Sequence, residues 1–356
     1  MIAVAVQDNE QKNRSVTIND VAKLSGTSIA TVSRVLNDSD YPVSAQTQER
    51  VRAAAKALNY TPNLLGHMLK AKTNRCLGVI IPSFQNPFFT QLVRGVEHAA
   101  RERGYLAFVF SSQRDAQTER TLITQLMHLR ISGMLLSSID RDPAAAKAFL
   151  DSGACAGIFE ADYPLDPRAI DATSNMNENS YIATSALLDM GHRDIALLTT
   201  PLTKKNRQNV CAGFHQAMTE RGLTQQDVYE SPYERELDDA LFEFEAGRAL
   251  TERLLACGKR YTALVAVNDL VACGIVHTLT KSGVRVPEDI SVIGIDDIPQ
   301  CVFISPTLTT VSQSSFQHGR DVCLRLIERM ESGDTGPGER CYRRPELVMR
   351  ESVKAL

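Results

Sequence analysis

The 356-residue chain predicts a small all-α head joined to a larger α/β body of two doubly wound parallel-sheet subdomains. Three observations predict this. Residues 16–59 hold three short amphipathic helical patterns, each opened by a residue suited to capping. From Arg75 onward, short apolar runs alternate with amphipathic stretches, the rhythm of strands joined by crossover helices. Charge is segregated: residues 11–75 carry ten Lys/Arg against four Asp/Glu, a net of +6, while the chain after Arg75 nets −7 within an overall −3. A basic head on an acidic body concentrates attraction to phosphate at one end of the molecule.

Residues 1–14 read as a disordered tail: the apolar run Met1 to Val6 is too short for a secretory signal and lacks a basic leader. The head spans 15–61. Thr17 suits the N-cap of a first helix, with Ile18, Val21, Ala22 and Leu24 as its apolar positions, and Gly26 ends it. Ser28 caps a second helix that turns Val32, Val35 and Leu36 inward and leaves Ile29, Ala30, Thr31, Ser33 and Arg34 facing out. A third helix follows from Ser44, with Val51, Ala54, Ala55 and Leu58 at helical spacing. Two capped helices around a tight glycine turn form a helix-turn-helix, whose second helix suits a DNA major groove. A generic helical hairpin is the alternative for any one such pattern; the third helix and the local positive charge lower its weight.

The body begins with the apolar strand LGVIIP at Leu77. A helix is expected from Pro87 to Arg103, a strand at Leu106 to Phe110, a helix from Glu119 to Arg130, then GMLLSS, a helix from Pro143, and ACAGIFE. The rhythm restarts with a helix from Asn177 to Met190, strand IALLTT, helices at Gln208 to Arg221 and Phe242 to Cys257, strand TALVAV, a helix from Asp269 to Ser282 and strand SVIGID. LTTVSQ, a helix from Ser315 to Ser332 and two short strands around Pro345 close the chain. Two such units in tandem place a cleft at the carboxyl ends of their strands, where small ligands bind.

Enzyme signatures are missing: there is no GxSxG, no P-loop, and no GxGxxG after the first strand. His192 at a helix-to-strand turn reads as a helix cap rather than a catalyst. The polar pairs Asn268-Asp269 and Asp296-Asp297 sit at strand ends and are expected to face the cleft. Eight cysteines lie singly, without CxxC or zinc spacing, mostly in apolar sequence. These features predict a reduced, cytoplasmic protein with no metal and no cofactor. No apolar run approaches a membrane span.

The ordered series VTINDVAKLSGTS and TVSRVLN, LNYTPN, LGVIIP and NPFF, ATSALLDMGHRDIALL, AVNDLVACGIV, VPEDISVIGIDDIP, SPTLTTV and PELVMRES resembles the lac repressor (LacI/GalR) family of bacterial transcription regulators over essentially the whole chain. The resemblance implies a body like the periplasmic binding proteins. Its subdomains would cover about 76–174 plus 313–337 and about 175–312 plus 338–356, and residues 62–75 would form a hinge helix and linker. It implies a homodimer on a palindromic double-stranded DNA operator, controlled by a small-molecule effector. Base reading then falls to Ile29, Ala30 and Arg34: the arginine can pair bidentately with guanine, and the apolar pair can meet thymine methyls. Thr17, Ser28, Thr31, Ser33 and Asn37 would serve the DNA backbone. Asn63, Leu65, Leu69 and Lys70 would serve the minor groove through the hinge, with Leu69 as the wedge that unstacks the central step.

The chain departs from the family pattern at several points. Tyr41-Pro42 lengthens the loop after the second helix by one residue, expected to affect phosphate contacts more than reading. Gly66 stands where the hinge usually has alanine, which weakens that helix by about 1 kcal/mol. Val210 replaces an arginine that anchors effectors in many members; Lys204, Lys205 and Arg207 lie just upstream and are candidates to substitute for it, the alternative being that they are solvated. The effector candidates are Phe88, Phe89, Asn175, Arg207, Asn268 and Asp296, and a sugar or sugar derivative is the expected ligand. The sequence thus reads as a repressor of carbohydrate-metabolism genes. The alternative is a sugar-binding protein of the uptake type with no DNA role.

Overall fold

The computed structural model describes residues 16–36, 41–61, 75–233 and 241–356. The expected tail, Asn37, and the hinge residues Asn63, Leu65, Gly66, Leu69 and Lys70 lie outside the described residues. The chain divides into two compact units, with the boundary between Asn74 and Arg75.

In the first unit, helices α1 (Ile18–Ser25), α2 (Ile29–Leu36) and α3 (Ala45–Ala57) start where local chemistry dictates. The Asp20 carboxylate accepts the Thr17 backbone N–H at 2.9 Å and its hydroxyl at 2.7 Å, placing a negative charge at the positive end of α1. Gly26 ends α1 at φ 62, a left-handed conformation that costs glycine little. Ser28 accepts the Thr31 N–H at 3.1 Å to open α2. Val21, Ala22, Val32, Val35, Val51, Ala54 and Ala55 meet in one miniature core. Leu24 does not join it: the side chain is 56% exposed. The buried stripe runs three and four residues apart through Val21, Ala22 and Ser25. Ser25 can occupy it because its hydroxyl donates to the Val21 carbonyl at 2.8 Å.

The second unit has two lobes. The first contains β1 (Cys76–Ile81), α4 (Pro87–Glu102), β2 (Leu106–Ser111), α5 (Ala116–His128), β3 (Gly133–Ser137), α6 (Ala144–Asp151), β4 (Cys155–Glu160) and β5 (Ile170–Asp171). Its sheet is parallel throughout, in the order β2-β1-β3-β4-β5. The second contains α7 (Met176–Asp189), β6 (Ile195–Thr199), α8 (Lys205–Glu220), β7 (Asp227–Glu230), α9 (Phe242–Ala256), β8 (Ala263–Ala266), α10 (Asp269–Lys281), β9 (Ser291–Asp296) and β10 (Thr309–Ser312). After β10 the chain forms α11 (Ser315–Ser332) and β11 (Glu346–Val348). The second sheet runs β11-β10-β9-β8-β6-β7, antiparallel only between β10 and β11. Helix α11 returns to the first lobe, where Val322, Cys323, Leu326 and Ile327 enter that lobe's core. Buried strands such as CLGVII are apolar on both faces, as parallel sheets covered by helices require.

Several elements differ from the sequence reading. Helix α5 starts earlier than Glu119, at Ala116, because Asp115 accepts the Thr118 N–H at 2.7 Å. The short edge strands β5 and β7 were not foreseen: with two and four residues they carry too little pattern. Around Pro345 there is one strand rather than two. The segment before it makes a single bridge, Asp171 to Arg340, and a proline without an N–H cannot extend the ladder. His192 does not cap a helix through its ring. The buried imidazole donates from Nε2 to the Lys354 carbonyl at 2.9 Å and accepts the Thr262 hydroxyl at Nδ1 at 2.9 Å, tying the end of α7 to two other segments. Six cysteines are buried and Cys211 is half-buried, but Cys257 is exposed. No described helix is long and apolar enough to cross a membrane.

Candidate functional site

Two surfaces carry the residues singled out by the sequence. On the head, α2 is only eight residues long and turns Val32 and Val35 into the core. That orientation leaves Ile29 (49% exposed), Ala30 and Arg34 on the outer face. Thr31 and Ser33 are half-buried on the same helix, Ser28 is exposed at its start, and Thr17 is half-buried at the start of α1. The Ser28 hydroxyl also meets the Thr31 hydroxyl at 2.9 Å, so both are engaged in capping as well as displayed. Tyr41 lies beside this face: the Arg34 guanidinium carbon sits over its ring, 4.0 Å from the centroid. The longer loop therefore also bears on a candidate base reader.

In the body, a cavity of about 280 Å³ lies between the lobes, near the lower end of the range of small-molecule sites. It is walled by the carboxyl ends of strands from both sheets, where each strand passes into a loop or helix. Phe88, Phe89, Arg207, Asn268 and Asp296 all line it. Phe88 and Phe89 pack edge to face with centroids 5.2 Å apart. Phe89 is buried in the first lobe's core, while the partly buried Phe88 touches the cores of both lobes, so both rings pack against core as well as lining the cavity. Asn175 does not line the cavity: it caps α7 by accepting the Glu178 N–H at 3.3 Å. Two other residues of the polar pairs are also turned elsewhere. Asp297 binds Arg350 at 2.7 Å. Asp269 accepts the Thr310 hydroxyl at 2.6 Å and the Ile298 N–H at 3.0 Å inside the second lobe.

Arg207 is not solvated. It is buried, its Nε donates to the Thr200 hydroxyl at 3.0 Å, and it reaches the cavity one helical turn before Val210, which is fully buried in the core. Positions 207 and 210 share a helix face, so a guanidinium can serve the cleft from either. Lys204 and Lys205 also line the cavity rather than standing clear of it.

The electrostatics of the cleft are set by burial. Asp296 is held well above the usual carboxylate range, first by burial and then by the neighbouring Asp269 charge, and accepts from Gln313 Nε2 at 2.6 Å. Burial likewise lowers the His318 pKa, so its ring is neutral near pH 7. His318 Nε2 donates to the Ala172 carbonyl at 2.7 Å, which leaves Nδ1 as an acceptor. That Nδ1, Gln313 Oε1 and Asn268 Nδ2 are buried at the cavity and have no hydrogen-bond partner among the described residues. Asn268 is divided in function: its Oδ1 accepts the Val271 N–H at 2.9 Å and starts α10, while its amide nitrogen stays available. Two acceptors and one donor, all desolvated, are ready for a polar ligand.

The sequence reading missed the residues that close this cavity across the lobes. Arg114, in the turn after β2, binds Glu243 in the first turn of α9 at 2.6 Å, with the side chains 6% and 1% exposed. Asn86, the N-cap of α4, reaches the same carboxylate oxygen at 3.5 Å. Gln313 and His318 were missed as well. None of these has a local motif; each gains its role from a partner or a cavity wall brought in by the fold.

Comparison with known proteins follows the same division. The model of bacterial regulatory proteins of the lacI family matches residues 17–63, and that of a periplasmic binding protein-like domain matches residues 184–353. The HTH-type transcriptional repressor PurR of Haemophilus influenzae (strain PittEE) is 32% identical over 344 residues, covering 96% of this chain and 99% of that protein. The repressor of the same name from Mannheimia succiniciproducens is 33% identical over 341 residues, covering 96% and 99%. Among solved structures, the lac repressor dimer bound to operator and the anti-inducer ONPF has a TM-score of 0.81 at 28% identity, covering 96% of this chain and 100% of that one. A complex of the transcriptional regulator CelR with cellobiose has a TM-score of 0.67 at 28% identity, covering 95% and 100%. Likeness at this level over nearly the whole length means that the chain belongs to the lacI family of bacterial regulatory proteins.

Proposed function

We propose that this protein is a transcriptional repressor that binds a palindromic operator as a homodimer and is controlled by a small polar effector, a sugar or sugar derivative, held between the two lobes. The observation that carries the DNA reading is the outer face of α2, where Ile29, Ala30 and Arg34 project from a capped helix locked into its own core. Recognition helices present such residues to base edges. The relatives named repressors support the sign of control.

The effector class rests on the unpartnered polar atoms of the cleft. Each hydroxyl of a sugar both donates and accepts, and so can satisfy Asn268 Nδ2 on one side and Gln313 Oε1 or His318 Nδ1 on another. Asp296, whose pKa burial raises, adds a donor when it carries its proton. The 28% identical regulator solved with cellobiose supports the same class. For the dimer, Phe303 is 77% exposed beside Val302 and a groove lined by Phe244, Val276 and Ile304, an apolar surface that a second copy would cover. Effector binding would shift the relation of the lobes and change operator affinity, with a coupling typically of about 1–3 kcal/mol.

Selection from random duplex DNA tests the reading: a two-fold symmetric site should emerge, and binding to it should weaken with salt. Recovery of no common site would refute it. Thermal-shift screening against sugars, sugar acids, sugar phosphates and nucleobases then tests the effector class. Stabilisation by nucleobases alone would overturn the sugar assignment.

A further inference from the structure

We propose that Tyr41 is a positioning residue for DNA reading, holding the Arg34 guanidinium over its ring so that the arginine meets its base pair already oriented. The proposal rests on the assignment of Arg34 as a base reader. Arg34 sits in the last turn of α2 with an exposed, flexible side chain, and such a chain loses rotamer freedom when it docks. Stacking on an aromatic ring removes part of that freedom beforehand.

The geometry does not compete with reading. A cation–π contact uses the face of the guanidinium, and here the carbon lies 4.0 Å from the Tyr41 centroid. A bidentate contact to guanine uses the N–H edge, which lies in the guanidinium plane and stays available. Tyr41 itself is 58% exposed, so its ring contributes little to the core and lies at the surface. It also belongs to the Tyr41-Pro42 segment that makes the loop after α2 one residue longer, so that segment supplies the ring that the arginine stacks on.

The test uses the full chain and the operator recovered by selection, with the guanine predicted to face Arg34 replaced in turn by the other bases. Tyr41→Ala is expected to lower discrimination at that base pair about two- to five-fold, the worth of an exposed cation–π contact. Affinity for unrelated duplex and its salt slope should be unchanged. Tyr41→Phe keeps the ring and should behave as the parent. In the Arg34→Ala background, Tyr41→Ala should have no further effect, because the two act through one contact. Tyr41→Ala that weakens all sequences equally would mark a phosphate contact and overturn the proposal, as would equal losses with and without Arg34. If Arg34→Ala itself leaves base preference unchanged, the base-reading assignment fails first, and the stack has no reader to position.

Discussion

Replacing Glu243 by glutamine tests whether the lobes are held by one buried ion pair. The Arg114 Nη2 to Glu243 Oε1 distance is 2.6 Å, and the side chains are 6% and 1% exposed, so water screens the pair poorly. Two unit charges about 4 Å apart attract by about 4 kcal/mol at an effective dielectric of about 20. Removing one partner of a buried pair costs about 3–5 kcal/mol, because the other charge stays desolvated. Glu243→Gln keeps the shape, and Asn86 Nδ2 can still approach the remaining amide oxygen, so the expected loss lies near the lower limit, about 3 kcal/mol. Urea unfolding followed by circular dichroism should show a lower midpoint with an unchanged slope. The double variant Glu243→Gln, Arg114→Met should recover much of the loss, since replacing both ends of a buried pair by groups of similar shape is often close to neutral. A single-variant loss below about 1 kcal/mol, or a double variant as unstable as the sum of its parts, would refute the reasoning.

Three further outcomes follow from the packing and the cleft. Gly95→Ala should destabilise by at least about 1–3 kcal/mol in urea unfolding, because its Cβ would sit 1.9 Å from the Phe316 carbonyl oxygen, where α4 crosses α11 on backbone and cannot yield cheaply. For Asp296, the folded-state pKa is raised by burial, so the acid supports the fold while protonated and loses that support as pH rises through its folded value. The melting temperature of Asp296→Asn should therefore gain on the parent as pH rises from the ordinary carboxylate range toward the raised folded value; a pH-independent gap would contradict this. Asn268→Ser keeps an N-cap oxygen for α10 but deletes the amide donor, so stability should fall by well under 1 kcal/mol while the thermal shift caused by the effector shrinks. Equal effector shifts in the two proteins would remove Asn268 from the binding site.

The head was legible because its interactions are short in sequence. Thr17 and Asp20 are three apart, as are Ser28 and Thr31, so a linear reading captures the caps, the turn at Gly26 and the α2 face together. The one error, Leu24, came from counting an apolar residue rather than its place on the stripe. The α/β rhythm was legible for the same reason, while β5 and β7 were too short to show a period. The cleft is a different kind of object. Arg114 and Glu243 are 129 residues apart, and Asp296 meets Gln313 only after the chain has left β9, formed β10 and turned toward α11. No spacing rule can bring such residues together, so only those at strand ends, such as Asn268 and Asp296, or those the family pattern pointed to were legible. The fold gives Asn175 a helix start as well, and it buries Arg207 at the cavity on the helix face it shares with Val210.

Helix starts link the legible and the illegible halves of the molecule. Parallel strands end at the cleft, and the helices that follow begin there, so their cap residues stand on the cavity wall by topology. An asparagine in that place has two ends. Asn86 gives its oxygen to the Phe88 N–H at 2.9 Å and points its amide nitrogen at Glu243 across the lobes. Asn268 gives its oxygen to α10 and keeps its amide nitrogen for the cavity. Serine, threonine or aspartate would start either helix comparably, but none would leave an amide donor behind. A cap asparagine at the end of a parallel strand is thus a local signal with a non-local meaning: the oxygen can be assigned from sequence, and the direction of the nitrogen follows once the sheet order is known. Asn175 obeys the same rule from the other side. It caps α7, which follows the edge strand β5, and its amide nitrogen turns to Glu178 at 3.3 Å instead of the cavity.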